Sequence, residues 1–434
     1  MMQNAKLKPL LLLFLLLGFT WIQENLCAIP WLQTYPWQNV CHYSYHQSYI
    51  TAYNVIPALG GGYVLDAQAG FSFSDPDFPS YYSYRILWKL AENGTAEFRR
   101  AAEGFNHGYQ TLVSDGQSCY YGIWQENANT HLDLFDAELS LINSYSFVAQ
   151  NGLSARLNDL IWTAQGLLLC GSVDGQSKLI MTDQQFNLLW QGDSLGSSPN
   201  GIFACLPYQE GWLGISSDRL ACFSAVGDTL WTHNSQPMYL LDLLVTDTNR
   251  IIVIAADQTN SNSYSQLSLL EYLPANNELN FLTNTGMSGY NPQYYNPISL
   301  IENVNGDLLV FGRCGAEQYR ILNCYGPDGT YLWGRSFFDA AEGIPGKGKN
   351  NIFATNAGDL VFCMGFDPID FNNPEGIAVA KASYLGEITS VEDQALIPST
   401  ATICHYPNPA VNSLSFGFEL KGNLDKPELQ IYNL

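Results

Sequence analysis

The chain has 434 residues, of which 40 are acidic and 18 are basic, so its formal net charge is -22. A surface this negative repels phosphate backbones, which argues against nucleic-acid binding. Charged residues make up only 13% of the chain, whereas its 37 glycines, 26 tyrosines and 22 phenylalanines favour short strands with aromatic faces over solvated helices.

The N-terminal residues have the pattern of a secretory signal peptide. Lys6 and Lys8 precede an apolar run at Pro9–Ile22, and a small-residue exit follows at Ala28. The apolar run is shorter than the roughly 20 residues that cross a bilayer, and no later stretch has the character of a transmembrane anchor. We expect residues 1–28 to be removed, and the protein to pass through the periplasm and be released or displayed at the cell surface.

One hairpin pattern recurs along the chain. In its two clearest copies, residues 84–98 and 319–333, a strand that opens with Tyr-Arg-Ile-Leu leads to an Asn-Gly-Thr or Asp-Gly-Thr turn and then to a large aromatic residue. Weaker copies keep the same order. The turn positions that we take as equivalent are Gly94, Leu139, Phe186, Gly227, Asn277, Gly329 and Gly386.

A second hairpin lies upstream of each of these turns, where a polar or glycine turn leads into an apolar strand. Its copies are Gly61–Leu65, Gly116–Trp124, Gly166–Val173, Gly211–Ile215, Arg250–Ala255, Gly306–Gly312 and Gly358–Gly365. Two hairpins per unit, at a period of about 40 to 60 residues, predict seven four-stranded units. Because one twisted sheet cannot bury both of its faces, we expect these units to stack radially as an all-β, seven-bladed β-propeller over residues 29–395.

The seventh unit lacks a fourth strand after Ser390. The segment Ile29–Tyr35 resembles the aromatic outer strand of other units, such as Leu230–Thr232. We therefore predict that the N-terminal strand completes the last blade. Six or eight blades, or an array of β-sandwiches, remain open alternatives because the second unit matches the pattern poorly.

The repeat resembles that of the β-propeller proteins exported by bacteria that use type IX secretion. The shared features are Gly-Gly-Tyr followed by apolar residues at 61–65, and Asp-Gly followed by Trp at 328–333. The resemblance covers about residues 30–395 and implies a fold and an export route. Its motifs specify turns and packing, so it implies no activity.

The C-terminal region begins after a linker at residues 396–402. Its opening motif is Tyr406, Pro407, Asn408 and Pro409. This motif and the alternating strand after it resemble the start of a type IX secretion sorting domain, and residues 429–434 resemble that domain's next strand. Residues 403–434 are shorter than the family's β-sandwich, so the resemblance implies a truncated sorting domain, with the outer-membrane translocon of type IX secretion as its partner.

The sequence contains no constellation of nucleophile, base or metal ligands with a spacing that indicates catalysis. We therefore assign no catalytic residue and no metal site from the sequence. Cysteines inside apolar runs, such as Cys170 and Cys363, are interpreted as small buried hydrophobic residues. Cys314 and Cys324 flank a predicted strand and are the pair considered for a disulfide.

An acidic residue recurs near the end of the second strand in several units. These acids are Asp66, Asp174, Asp218, Asp257 and Asp367. A second strand ends on the face where propellers usually bind ligands, so the acids predict a negative funnel that holds a basic ligand or a cation such as calcium. Aspartate is also favourable in turns at strand ends, which explains the pattern without a ligand.

Long aromatic loops are expected on the same face, at residues 68–83, 284–296 and 365–376. The aromatic residues chosen as ligand contacts are Phe73, Phe78, Tyr81, Tyr290, Tyr294 and Phe371. Exposed aromatic residues on a rigid scaffold suit the binding of a glycan, peptide or protein. Loops that pack on one another to cap the ring would explain the same residues.

The sequence as a whole favours a secreted or surface-displayed binding module over an enzyme. The alternative is a hydrolase or lyase acting on polysaccharide with carboxylates in the channel. That alternative requires two acids that face a cleft, one of them with a raised pKa. A purely structural surface protein is the third hypothesis.

Overall fold

The computed structural model describes most of the chain in the region of the predicted propeller. The described residues are 31–36, 47–72, 81–103, 109–126, 129–147, 155–196, 201–257, 264–290, 298–313, 320–336, 351–366, 376–383, 404–405 and 416–417. They fall into two compact units, residues 1–388 and 389–434. The predicted signal peptide lies outside the described residues. No helix in the described part of the chain is long and apolar enough to cross a membrane.

The first unit consists of seven antiparallel sheets of four strands each, which we name blades I to VII in chain order. The N-terminal strand, β1 (Trp31–Pro36), belongs to the last of them. Blade I contains β2 (Gln47–Pro57), β3 (Tyr63–Ser72), β4 (Tyr81–Leu90) and β5 (Ala96–Glu103), and blade II contains β6 (Thr111–Ser114), β7 (Cys119–Glu126), β8 (Asn129–Asp136) and β9 (Leu141–Ser146). Blade III contains β10 (Ala155–Thr163), β11 (Gly166–Val173), β12 (Gln176–Thr182) and β13 (Leu188–Gln191).

The remaining blades repeat this order. Blade IV contains β14 (Ala204–Tyr208), β15 (Gly211–Ile215), β16 (Arg219–Phe223) and β17 (Thr229–Asn234), and blade V contains β18 (Met238–Val245), β19 (Ile251–Asp257), β20 (Tyr264–Leu273) and β21 (Glu278–Tyr290). Blade VI contains β22 (Ser299–Glu302), β23 (Leu308–Arg313), β24 (Arg320–Tyr325) and β25 (Tyr331–Ser336). Blade VII contains β26 (Ile352–Ala354), β27 (Leu360–Phe366), β28 (Gly376–Ala382) and β1.

The seven sheets form a closed ring. The first strand of each blade contacts the first strand of the next, in the order β2, β6, β10, β14, β18, β22 and β26, and β26 in turn contacts β2. Apolar residues of neighbouring blades pack together in these joints. The fold is therefore the seven-bladed β-propeller that the repeat predicted, and the second blade has all four strands.

The N-terminal strand closes the ring as predicted. β1 pairs antiparallel with β28, with Trp31 opposite Lys381 and Pro36 opposite Gly376. The first and last strands of the propeller thus belong to one sheet. Blade VII acquires its fourth strand only when the two ends of this unit come together.

The turn between the third and fourth strands contains a residue with a positive φ in six blades, at Gly94, Leu139, Phe186, Gly227, Asn277 and Gly329. These are the positions aligned from the sequence, and the seventh, Gly386, lies outside the described residues. In blade II the N–H of Leu139 donates to the carbonyl oxygen of Asp136 at 2.9 Å, and a bulge interrupts the adjoining strand pair. The hairpin is therefore a type I turn closed by a left-handed residue.

Leucine and phenylalanine adopt this left-handed backbone where their side chains fill the joint between blades. Leu139 and Phe186 are 1% and 0% exposed. The ring of Phe186, which belongs to blade III, lies 6.2 Å from Tyr121 in an edge-on contact and 5.4 Å from Tyr145, both in blade II. Burial of these side chains offsets the backbone cost of about 1–2 kcal/mol.

In blade IV the equivalent turn position is residue 227, and only glycine fits there. A Cβ there would lie 2.5 Å from the ring of Trp190 and 2.6 Å from Cα of Gly192, both at the outer edge of blade III. Gly116 also has a positive φ, of 74°, but a Cβ there would meet nothing within 4 Å. A comparison of substitutions at Gly116 and Gly227 therefore distinguishes the free-energy cost of a positive φ from the cost of a steric clash between blades.

Buried carboxylates link the inner strands of neighbouring blades. A bulge precedes Asp159 in β10 and Asp242 in β18. Oδ2 of Asp159 accepts the N–H of Cys205 at 3.1 Å, and Oδ2 of Asp242 accepts the N–H of Leu300 at 2.7 Å, in each case across to the next blade. These contacts, which we name inner-strand clasps, satisfy backbone donors that the sheets leave unpaired between blades.

The predicted loop boundaries were wrong where strands continue past the apolar core. The structure places in strands residues 68–72, 81–83, 284–290 and 365–366. Ser72 pairs with Tyr81, and Tyr264 pairs with Tyr290. These outer ends are polar and aromatic and lack the apolar run by which the sequence marks a strand, so only their cross-strand partners define them.

The second unit has one described strand pair, in which β29 (Cys404–His405) is antiparallel to β30 (Phe416–Gly417). The predicted sorting motif, residues 406–409, lies outside the described residues.

Cys324 lies within β24 and carries a buried thiol, while Cys314, its predicted disulfide partner, is outside the described residues. The burial predicted for Cys170 and Cys363 is confirmed, since both are fully buried within β11 and β27.

We predict that Gly227→Ala destabilises the propeller more than Gly116→Ala does. Both substitutions incur the cost of a positive φ, whereas only the Cβ at residue 227 enters occupied space. Urea unfolding should show a loss of about 1 kcal/mol for Gly116→Ala and of roughly 2–4 kcal/mol for Gly227→Ala. Equal losses would contradict the role of residue 227 in the joint between blades III and IV.

Candidate functional site

The two faces of the ring differ in the lengths of their connections. The connections from first to second strand and from third to fourth strand lie on one face, named here the turn face, and none of them is longer than residues 58–62. The other strand ends lie at the opposite face, named the loop face. The stretches of sequence that separate them range from residues 174–175, between β11 and β12, to residues 337–351, between β25 and β26.

Three of the predicted acids lie at the loop face. Asp174 follows β11 in a tight turn with a φ of 49°, Asp218 lies in the turn between β15 and β16, and Asp257 is the last residue of β19. The side chains of Asp174 and Asp257 are exposed, and that of Asp218 is partly exposed. Asp367 lies outside the described residues.

The structure corrects the placement of Asp66. This residue lies in the interior of β3 and is fully buried. The prediction put it at a strand end, but β3 continues to Ser72 because it pairs with β4 along its whole length. Asp66 therefore does not line a funnel on the loop face.

The predicted aromatic contacts lie at strand ends or outside the described part of the chain. Tyr81 is the first residue of β4 and Tyr290 is the last residue of β21, both at loop-face ends of their strands. The residues outside the described ranges are Phe73, Phe78, Tyr294 and Phe371. The role of these aromatic residues as ligand contacts stays a prediction.

Asp66 belongs to a buried polar cluster between blades I and II. Its Oδ2 accepts hydrogen bonds from Asn54 Nδ2 at 2.9 Å and from the N–H of Tyr109 at 3.0 Å, while no described residue donates to its buried Oδ1. Asn54 also donates to the carbonyl oxygen of Tyr109 at 2.7 Å, so an amide side chain links the two blades here. Desolvation by burial raises the pKa of Asp66 to about 7, against the lowering effect of its hydrogen bonds and of the Arg85 guanidinium.

An ion pair crosses the same joint. Arg85 Nη1 of β4 lies 3.0 Å from Asp133 Oδ2 of β8, and the two side chains are 2% and 5% exposed. The guanidinium carbon lies 3.9 Å from the ring centroid of Tyr109 and 4.6 Å from that of Trp124, and the Tyr109 hydroxyl donates to Asp133 at 2.6 Å. A sealed pair with these partners fixes the two blades relative to each other and gives a substrate no access.

Sequence reasoning did not single out this ion pair. In the sequence, Arg85 stands out only as part of the repeated Tyr-Arg-Ile-Leu strand. An arginine inside an apolar strand, in a chain with few bases, was the available signal that a buried acid would oppose it. The position of that acid, Asp133, depends on how two sheets pack.

A cleft of about 390 Å³ lies on the turn face between blades I and VII, and we name it the seam cleft. One wall is the turn before Tyr63, and the facing wall carries Phe353; the two rings lie 6.1 Å apart at 49°. Glu92 also lines the cleft, and its Oε1 accepts the N–H of Gly62 at 3.1 Å.

The lining of the seam cleft also includes a shielded ion pair. Nζ of Lys381 lies 3.3 Å from Oδ2 of Asp359, with side chains 5% and 13% exposed. The cleft thus combines two carboxylates, one ammonium and an aromatic wall. This combination suits a small polar ligand with one apolar face, such as a sugar unit or a peptide side chain.

The described residues do not supply the acid pair expected for a polysaccharide-cleaving enzyme. The described carboxyl groups with a raised pKa are Asp66 and Glu302, and desolvation is the main cause for both. Asp66 is sealed in the joint between blades. Glu302 lies at the turn face, where it accepts the N–H of Asp247 at 2.7 Å, and it is not part of the seam cleft.

One group of potential metal ligands converges within the described residues. It consists of Asp159, Cys170 and Cys205, whose ligand atoms lie within 4.8 Å of one another and are buried. Two thiols do not suit calcium, which takes oxygen ligands. Calcium binding at the loop face stays a prediction, because Asp367 and most of the sequence between the strand ends of that face lie outside the described residues.

No family model and no curated protein matches the chain. Similar solved structures include the WD40 domain of Pan2 from Neurospora crassa, with a TM-score of 0.48 and 8% identity over 82% of this chain and 96% of that chain. The β-propeller domain of Nup133 from Vanderwaltozyma polyspora has a TM-score of 0.42 and 9% identity over 72% of this chain and 97% of that chain.

A bacterial structure is also similar. The extracellular domain of the putative hybrid two-component system BT4673 from B. thetaiotaomicron has a TM-score of 0.45 and 13% identity over 80% of this chain, and the match spans 40% of that chain. At such scores we draw no functional argument from these proteins. The β-propeller assignment rests on the strand pairing.

We predict that Asp66→Asn removes a pH dependence of stability. The folded-state pKa of about 7 lies above the unfolded value of about 3.9, so the folded state binds this proton more tightly. The stabilisation that comes from binding this proton is fully present below about pH 4 and is lost as the pH rises to about 7. Asparagine keeps an acceptor for Asn54 and Tyr109 without a charge, so the variant should be more stable than the wild type at pH 8 in urea unfolding.

A control of opposite sign is available at Asp115. Burial by itself raises the pKa of Asp115, but hydrogen bonds from the backbone N–H groups of Cys119, Ser118 and Gln117 outweigh it. The pKa of Asp115 is therefore lowered. Its contribution to stability is therefore present at neutral pH and is lost in acid. Asp115→Asn should lower stability at pH 7. If Asp66→Asn also proved less stable than the wild type at pH 8, the buried-carboxylate explanation would fail.

Proposed function

We propose that the protein is an exported β-propeller that acts as an interaction module for an extracellular glycan, peptide or protein. The observation that carries this proposal is the asymmetry of the ring. Short turns close one face, while the stretches of sequence between the strand ends of the other face differ widely in length. A rigid scaffold that concentrates variable segments on one face is suited to recognition.

Export is supported by the signal-peptide pattern of residues 1–28. The resemblance of residues 403–434 to a sorting domain supports the type IX route, with the outer-membrane translocon as partner. On this proposal the mature protein is released or held at the cell surface. The loop face is then available to extracellular ligands.

The charge of the loop face favours a cationic or hydroxyl-rich ligand. Asp174, Asp218 and Asp257 lie there at strand ends, and the net charge of -22 adds a long-range attraction for basic groups. Carboxylates also accept hydrogen bonds from sugar hydroxyls. The aromatic residues predicted for the same face would supply apolar contact area.

The test is a glycan and peptide array probed with the full chain, with and without calcium, followed by affinity measurements on variants. The loop-face variant combines Asp174→Asn, Asp218→Asn and Asp257→Asn. The matched turn-face control, with the same change in charge, combines Glu138→Gln, Glu210→Gln and Glu278→Gln, all exposed. We expect the loop-face variant to lose about tenfold in affinity, or about 1.4 kcal/mol, and the control to bind as the wild type does.

The seam cleft is the competing location, and a second variant distinguishes it. Glu92→Gln combined with Phe353→Ala alters the cleft without touching the loop face. Loss of binding in that variant alone would move the site to the turn face. An array with no binder at all would overturn the interaction module in favour of a structural surface protein.

A further inference from the structure

Two cysteines from neighbouring blades lie side by side at the clasp of blade III. Cys170 belongs to β11 in blade III and Cys205 to β14 in blade IV, and both are fully buried. Their Sγ atoms lie within 4.8 Å of one another and of a carboxylate oxygen of Asp159. Both residues carry thiols in this structure.

Blade V shows that a clasp does not require these thiols. Asp242 there follows the same bulge and accepts the N–H of Leu300 at 2.7 Å. Ile254 lies opposite the clasp carboxylate in blade V, where Cys170 lies in blade III. Isoleucine and leucine thus occupy the places that Cys170 and Cys205 occupy in the joint between blades III and IV.

The backbones that carry the two cysteines are held together by the clasp itself. The carboxylate of Asp159, directly opposite Cys170, accepts the N–H of Cys205 at 3.1 Å. β11 and β14 are also in direct contact. The two sulfur atoms are therefore brought together by contacts in which neither sulfur takes part.

We propose that Cys170 and Cys205 form a disulfide that links blade III to blade IV in the oxidised protein. The bond requires the sulfur atoms to move from within 4.8 Å of each other to about 2.05 Å, by rotation of the side chains about Cα–Cβ. The two thiols lose two protons and two electrons to an oxidised disulfide donor of the glutathione class. That donor is reduced to two thiols as the Sγ–Sγ bond forms.

The burial of both thiols determines when the bond forms. Neither an oxidant nor a reductant reaches a fully buried sulfur in the closed ring, so oxidation accompanies folding, and the bond then persists. Oxidants of this class act outside the cytoplasm. In the cell the inference therefore rests on the proposed export, whereas in vitro the pair can be tested on its own.

The test is refolding of the full, reduced chain in a buffer of oxidised and reduced glutathione, followed by peptide mapping. We expect a cross-link between residues 170 and 205 that resists dithiothreitol in the native protein and is reduced in urea. Reduction followed by refolding should lower Tm by on the order of 5 °C. Cys222→Ala, which removes a different buried thiol in blade IV, should retain the cross-link and its effect on Tm.

Cys170→Val and Cys205→Val should each abolish the cross-link and make Tm independent of the redox buffer. Valine resembles the residues that fill these places in blade V, so both variants should fold, as circular dichroism can verify.

Alkylation of both residues after oxidative refolding would overturn the proposal. So would one tightly bound zinc ion per chain that is lost in Cys170→Val, because the cluster would then be a metal site. An intact cross-link in a protein that binds nothing on the array would count against the proposed function alone.

Discussion

The rest of the structure depends on the pairing of β1 with β28. A four-stranded blade cannot bury both of its faces alone, so each blade depends on two neighbours. Blade VII is complete only when the N-terminal strand joins it, and the core between blades VII and I, which includes Val361, Val379 and Leu65, closes at the same place. Ring closure therefore links local hairpins, which are marginal alone, into one cooperative unit.

Between neighbouring blades the fold uses a small set of joints. Left-handed turn residues such as Phe186 insert into the preceding blade, and carboxylates such as Asp242 bind the backbone of the next one. Blades I and II add the buried pair of Arg85 and Asp133. All of these joints are made by strands and short turns. The stretches of sequence between the loop-face strand ends can therefore vary without loss of the ring, which is the physical basis of the binding function that we propose.

Charge has different consequences at the surface and in the joints. The net charge of -22 is tolerable because exposed carboxylates such as Asp174 and Asp257 are solvated. In the joints, Asp159 and Asp242 are satisfied by backbone N–H groups, and Asp133 by Arg85. Asp66 and Asp359 differ from these, since each has one buried oxygen without a hydrogen bond. That oxygen of Asp359 lies 3.3 Å from Nζ of Lys381, whereas desolvation dominates at Asp66. The raised pKa of Asp66 follows from that burial.

The sequence by itself determined the all-β class and the turn positions, including Leu139 and Phe186, because a hairpin turn is encoded within a few consecutive residues. It also predicted seven blades closed by β1, but the choice between six, seven and eight blades was made only by the strand pairing. It did not determine the ends of β3 and β21 or the burial of Asp66, because those depend on a partner strand. The Arg85–Asp133 pair, the seam cleft and the meeting of Cys170 with Cys205 were decided only by tertiary structure. Each of them joins residues of different blades, and the stacking of sheets leaves no local pattern in the chain.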